Sequence, residues 1–376
     1  MRRFPHMTVR PRFLCVLLGS ILLGACGGSA QPAAPASSAA APASAAVSPK
    51  PAASASAAAK PAASAPASAA AKPAASGLTV INVGQAGGSA MAWADYIAED
   101  EGFFAKLGIQ PKVVAIGTPA TAEQALVGGS IEVSEVVADA QINAIEAGAP
   151  IAIVGQLVGT SAFGVYTQPD IKSWDDMKGA TVGVSGPNDG AAVTFRVMAN
   201  QKGLAAQKDY SFVPVGTTPA RYAALQAKQI KAAMLTQPVD FEAEAAGYPV
   251  LVRSQDVLPH WVSVVVGVQK AWASSHRDLL TRYLTGLAQA TRFIYDPKNK
   301  AESIKVLRDR LKTTDDAASK TYALWIENGQ GRILEKDAKV DMEGLQVYGK
   351  ALKDLGLMQG DPDPNRWVDL SYAPTL

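Results

Sequence analysis

Val114-Ala115-Ile116-Gly117-Thr118-Pro119-Ala120 occurs a second time, further along the chain, as Val213-Pro214-Val215-Gly216-Thr217-Thr218-Pro219-Ala220. In both copies a Leu stands nine residues after the Gly and an Ile fourteen: Leu126 and Ile131 in the first, Leu225 and Ile230 in the second. Each copy reads as a strand, a turn, a helix and the start of another strand. The apolar run has strand character, Gly-Thr supplies the turn and the cap, and Pro falls in the first helical turn, where its missing N–H is no loss. One α/β unit is therefore built twice. Two such units facing each other leave a cleft, and the functional residues are sought there.

The front of the 376-residue chain has a different character. Arg2, Arg3, Arg10 and Arg12 precede an apolar run at 13–24 that is too short to span a bilayer. The run ends in Leu23-Gly24-Ala25-Cys26, which resembles the bacterial lipobox. That resemblance implies a signal peptide over 1–25, export, and a lipidated Cys26 as the mature first residue. An ordinary signal peptide fits less well, because the usual small-x-small cleavage pattern is poorly met. The other cysteine, Cys15, lies in the segment to be removed, so the folded part has no thiol for a disulfide, a metal or redox chemistry. Residues 26–76 form the lipidated Cys and a tether composed almost wholly of Ala, Pro and Ser, with Lys-Pro-Ala-Ala-Ser recurring from Lys50, Lys60 and Lys72. Spaced prolines break any Ala helix, and an extended tether reaches on the order of 150 Å at about 3.1 Å per residue.

Four arginines and three lysines precede Gly77 and no acid does, so a formal charge of +2 for the chain becomes −5 for the remainder. That balance argues against a nucleic-acid partner, which needs a basic face. From Gly77 onward strand and helix patterns alternate, and Gly follows nearly every helix, as a left-handed C-terminal cap requires. The alternation predicts parallel strands with crossover helices. A helix is expected over 90–107, crossing segments at 163–167 and 261–268, and a helical region from 271 onward that packs on the first unit.

Three phrases carry a family resemblance: Gly102-Phe103-Phe104-Ala105-Lys106-Leu107-Gly108-Ile109, the stretch from Ser173 to Val184, and Lys231-Ala232-Ala233-Met234-Leu235. They resemble the solute-binding lipoproteins of ABC importers, in the nitrate/sulfonate/taurine and thiamine-precursor branch, over roughly residues 77–355. The resemblance implies an α/β type II periplasmic-binding-protein fold with two lobes, two crossing segments and ligand in the cleft. Lobe 1 is expected at 77–165 plus 262–376 and lobe 2 at 166–261. It further implies a monomeric receptor, anchored on the membrane by its lipid, with an ABC permease as partner and no cofactor.

Ligands of open α/β lobes bind outside the carboxyl ends of the strands, and helix N-termini there suit oxyanions. The loops so placed nominate Gln85, Gly88, Ser89, Thr118 and Asp139 from the first unit, with Ser185, Asn188, Asp189, Gly190 and Gln237 from the second. The same residue types serve any turn or cap. Asp139 and Asp189 either cap their own helices, the reading we adopt, or face the cleft and disfavour a sulfonate or nitrate. No Arg falls in these loops. Trp261 is read as a core aromatic. Enzyme signals are weak: Gly183-Val184-Ser185-Gly186-Pro187 lacks the last Gly of a nucleophile elbow, and His260 and His276 are the only candidate bases. A solute receptor is the expected function. A serine hydrolase using Ser185 and a sensor of the same fold are the alternatives, and no metal site is expected.

Overall fold

The computed structural model describes residues 77–85, 87–258, 260–328, 333–374 and 376. The expected signal peptide, Cys26 and the tether lie outside the described residues.

The first half opens with β1 (Thr79–Gln85), a single 3-10 turn at Ala90–Ala92, and α1 (Trp93–Asp100). Gly102, with φ of +68°, then separates α1 from α2 (Phe103–Lys106). The helix expected over 90–107 is thus three short pieces, because a left-handed residue cannot continue an α-helix. Next come β2 (Ile109–Ala115), α3 (Pro119–Val127), β3 (Val133–Val137), α4 (Ala138–Glu146) and β4 (Ile151–Gln156).

The second half comprises β5 (Phe163–Thr167), β6 (Ala180–Val184), α5 (Gly190–Asn200), β7 (Tyr210–Pro214), α6 (Thr218–Gln226), β8 (Ala232–Thr236), α7 (Val239–Ala245), β9 (Val250–Arg253) and α8 (Ser254–Val257). The chain then returns as β10 (Val264–Gln269) and continues into α9 (Lys270–Ser275), α10 (Arg277–Tyr295), α11 (Lys300–Leu311), α12 (Asp315–Tyr322), α13 (Met342–Asp354) and α14 (Pro364–Trp367).

Two five-stranded sheets result, ordered β2-β1-β3-β10-β4 and β7-β6-β8-β5-β9. The orders superimpose strand for strand, so the sequence repeat is a repeat of topology. β1 pairs parallel with β2 and β3, and β6 pairs parallel with β7 and β8. Within each sheet one strand runs against its neighbours: β10 in the first and β5 in the second. These strands arrive from the other sheet without a crossover helix of their own, so nothing forces them parallel. Segments 163–167 and 261–268, expected as crossings, therefore mostly form sheet strands. The chain passes between sheets at 157–162 and 258–263.

The apolar cores follow this plan. Ile81, Val83, Trp93, Tyr283, Leu284 and Trp325 are buried together in the first half, with α10 packed along α1 and the Tyr283 ring stacked on Phe104 at 5.2 Å. The helical region after β10 thus covers the first sheet. A second cluster joins Val182, Phe195 and Met234 to Val137, Ile153, Trp261 and Tyr348, so apolar packing continues from one half into the other. Trp261 is a core residue against Tyr348, at 4.5 Å between ring centres. Among the described residues no helix is long and apolar enough to cross a membrane.

Candidate functional site

The two copies of the repeated stretch set the site's geometry. In the first, Thr118 is the N-cap of α3, its hydroxyl accepting from the Thr121 N–H at 3.2 Å, and Pro119 occupies the first turn. In the second, Pro219 enters α6 and lies against the turn after β1, where a Cβ added to Gly88 would stand 3.2 Å from Pro219 Cγ. Gly88 also has φ of +88°, a left-handed conformation that glycine adopts freely.

Between the halves lies a cleft of about 920 Å³. The first half lines it with Thr118, Pro119, Ala120, Glu123, Gln124, Val127 and Gly128 of α3 and its ends, and with Asp139, Ala140, Asn143 and Ala144 of α4. The second half contributes residues 185–189, from the turn between β6 and α5, and Pro214 at the end of β7. Of the ten ligand-binding candidates, Thr118, Asp139, Ser185, Asn188 and Asp189 meet here.

The others sit elsewhere. Gly190 opens α5 and abuts Val137 and Asp139 across the interface. Ser89 caps the 3-10 turn, accepting from the Met91 N–H at 3.4 Å. Gln237 is fully buried: its carbonyl accepts from the Ala90 N–H at 2.9 Å, and its side-chain oxygen accepts from Trp325 Nε1 at 3.0 Å. Its amide donates to Asp240, which also accepts from Arg253 at 3.0 Å. Gln85 donates to Glu135 at 2.5 Å beside a second cavity of about 40 Å³, whose wall includes Met91 and again Pro119.

Three carboxyl groups stand in the cleft wall, all buried. Glu123 accepts from the Ser134 hydroxyl at 2.7 Å, and burial pushes its pKa up to about 7 despite that bond. Asp139 is raised well above the usual carboxylate range, first by burial and then by repulsion from Asp189, while the Tyr348 hydroxyl, donating at 3.1 Å, opposes the shift. Asp189 is raised by burial; the nearby Ser185 hydroxyl and the Arg221 guanidinium pull the other way. Glu123 Oε2 and Asp189 Oδ2 have no hydrogen-bond partner in the protein. Asp189 does cap its helix, accepting from the Ala192 N–H at 3.4 Å. Asp139 does not: α4 has no side-chain cap, and the partner its carboxyl takes is Tyr348. The capping expectation therefore holds for one acid of the two.

Sequence reasoning missed several groups. Glu123 is a lone acid in an Ala-rich helix, and its burial has no local signal. Arg221 is buried behind Asp189, donating to the Met234 carbonyl at 2.6 Å and Thr218 Oγ1 at 2.8 Å, with its pKa lowered by burial to about 10. Asp95 and Glu135 form a buried pair under one tyrosine: the Tyr283 hydroxyl lies 2.7 Å from Glu135 Oε1 and 3.3 Å from Asp95 Oδ1. Both carboxyls are raised, chiefly by burial. Among the described residues no His, Cys, Asp and Glu group is arranged to hold a metal ion.

Residues 92–301 match the family model described as NMT1/THI5 like, which is more than half of the 376-residue chain. The chain belongs to the NMT1/THI5-like family. The resemblance read from the sequence phrases is to this same group. A search of the curated proteins gives no match. Among solved structures, this NMT1/THI5-like chain is similar to the alkanesulfonate-binding protein SsuA from Xanthomonas axonopodis pv. citri, bound to MOPS. The TM-score is 0.64 and the identity 16%, over 78% of this chain and 99% of the other. It is similar to the periplasmic nitrate-binding protein NrtA from Synechocystis PCC 6803, with a TM-score of 0.64 and 16% identity over 76% and 84% of the two chains. The desulfurization enzyme DszB also aligns, at a TM-score of 0.53 and 14% identity, over 78% and 97%. The shared feature is the periplasmic-binding-protein fold, which hosts both binders and an enzyme.

Proposed function

We propose that this chain is the extracytoplasmic solute receptor of an ABC importer. Its two lobes, whose first boundary moves from residue 165 back to the passage at 157–162 because Phe163–Thr167 pairs within the second sheet, close on a small polar solute and present it to a membrane permease. Lipidated Cys26 and the tether that follows would keep the monomeric receptor at the membrane surface. The observation that carries this reading is the cleft of about 920 Å³ walled by helix starts from both halves, in a chain of this family. That volume is of the size that encloses a small organic molecule. Closing the halves is a hinge motion absorbed by the two passages between the sheets. Thr118, Asp139, Ser185, Asn188 and Asp189 would contact the solute, and Gln85, Gly88, Ser89, Gly190 and Gln237 would shape the closed interface around it.

The hydrolase alternative finds no histidine base in place: none is among the described residues lining the cleft. His276 instead stacks on Trp272, with ring centres 5.0 Å apart. The test is a thermal-shift screen of the full chain over sulfonates, nitrate, bicarbonate, pyrimidines, amines and aromatic acids. One solute at a hundred times its Kd should stabilise the fold by about 2.7 kcal/mol, with no turnover. Hydrolysis of an ester panel that disappears in Ser185→Ala would overturn the receptor reading.

A further inference from the structure

The cleft is electrostatically wrong for an oxyanion. Two of the helix starts that could receive one are already filled from within the protein: Thr118 takes the Thr121 N–H of α3, and Asp189 takes the Ala192 N–H of α5. The first turn of α4 carries Asp139 itself. Among the described residues lining the cleft there is no Lys, Arg or His. Arg221 is buried behind Asp189, and its guanidinium is spent on two backbone carbonyls and Thr218.

What the wall does offer is uncompensated acceptor capacity. Glu123 is 4% exposed and Oε2 has no partner, while Ser134 satisfies only the other oxygen. Asp139 lines the same cleft and is repelled by Asp189 and, less strongly, by Glu123. A buried carboxyl with a free oxygen is costly unless something donates to it, so Glu123 is poised for a donor that the protein does not supply. Besides the neutral polar side chains of Thr118, Gln124, Asn143, Ser185 and Asn188, the wall presents apolar groups: Pro119, Ala120, Val127, Ala140 and Pro187.

Resting on the receptor reading, we infer that the cleft takes a ligand with an ammonium or amidinium end on a small apolar body, its cationic end held between Glu123 and Asp139. The cation meets two carboxyl groups at once and relieves their mutual repulsion. The groups facing this position are Ser134 of β3, Asp189 at the start of α5, Tyr348 of α13 and, behind Asp189, Arg221. Because both carboxyls hold protons more tightly than usual, binding a cation expels protons and the affinity rises with pH.

Titration calorimetry of the full chain with phenethylamine and benzamidine, against benzenesulfonate and nitrate, tests this at pH 6 and pH 8. A cationic probe should bind, at least several-fold more tightly at pH 8, with proton release visible as a dependence of heat on the buffer. Glu123→Gln should weaken that binding tenfold or more. Asp139→Asn should do likewise and serves as the second variant if the first does not fold, as judged by its melting curve. Binding of benzenesulfonate or nitrate, with both cations silent, would overturn the ligand class and leave the receptor reading standing. Binding of neither sign would overturn the ligand class, and the wider screen above then judges the receptor reading separately.

Discussion

Gly190 of the second half sits directly on Asp139 of the first: a Cβ added there would stand 3.0 Å from Asp139 Oδ1 and would overlap the Val137 side chain. The absence of a side chain at the start of α5 is what lets the two halves meet beside the cleft. Gly190→Ala is expected to leave each half folded and to hold the halves apart. Overpacking costs about 1–3 kcal/mol and here falls on the contact between the halves, so ligand affinity should drop on the order of tenfold. Small-angle scattering with bound solute should show a larger radius than the parent chain. An unchanged radius and affinity would refute it.

Glu123 makes stability fall as pH rises. Below pH 4.5 its carboxyl is protonated both folded and unfolded; between 4.5 and about 7 the unfolded chain gives up the proton and the folded one does not. The folded state therefore loses relative stability across that window, by an amount on the order of 3 kcal/mol, and the loss levels off above it. Glu123→Gln should flatten the fall in urea stability between pH 5 and pH 8. A variant with the parent's full pH slope would count against this assignment.

The Asp95–Glu135 pair shares a single tyrosine hydroxyl, which can donate to only one of them at a time. Tyr283→Phe removes that donor from two buried acids and should cost about 1–3 kcal/mol in urea denaturation. Asp95→Asn removes one desolvated charge and should cost less at pH 8 than at pH 5. Its sign follows from the raised carboxyl, which penalises the folded state as pH climbs. Equal costs at the two pH values would argue against a raised Asp95 carboxyl.

Trp325 and Gln237 join the helical region after β10 to the turn after β8 through one hydrogen bond of 3.0 Å, both side chains being buried. Trp325→Phe keeps most of the ring and drops the N–H, leaving the Gln237 oxygen without its donor. We expect a destabilisation of about 1–3 kcal/mol, and a double-mutant cycle with Gln237→Leu should recover part of it. Additive losses would mean that the bond contributes little.

Much of the local structure could be read from near neighbours. Pro119 and Pro219 start helices, Thr118 and Asp189 cap them, and Gly148 and Gly247 follow them in left-handed conformations. The doubled strand–turn–helix unit anticipated two sheets of identical order. Gly102 shows the limit of such reading: it lies inside an apolar pattern that looks continuous, and only its φ of +68° reveals the break. The reversal of β5 and β10 was likewise hidden, since a strand's direction depends on which sheet it has just left.

The site divides along the same line. Loop position nominated ten residues, of which Thr118, Asp139, Ser185, Asn188 and Asp189 line the cleft, because each lies at or beside a connection from a strand end into a helix. The chemistry around them comes from Glu123, Ser134, Arg221 and Tyr348, which reach the cleft wall or its backing from separate elements. Caps and periodicity are short-range properties, set by sterics and hydrogen bonds within a few residues, so the sequence by itself determined the repeated unit and the helix starts around the cleft. Burial, carboxyl repulsion and the pairing of the halves are sums over groups far apart in the chain. Only the tertiary structure decided that this cleft is acidic and without a cation of its own among the described residues that line it.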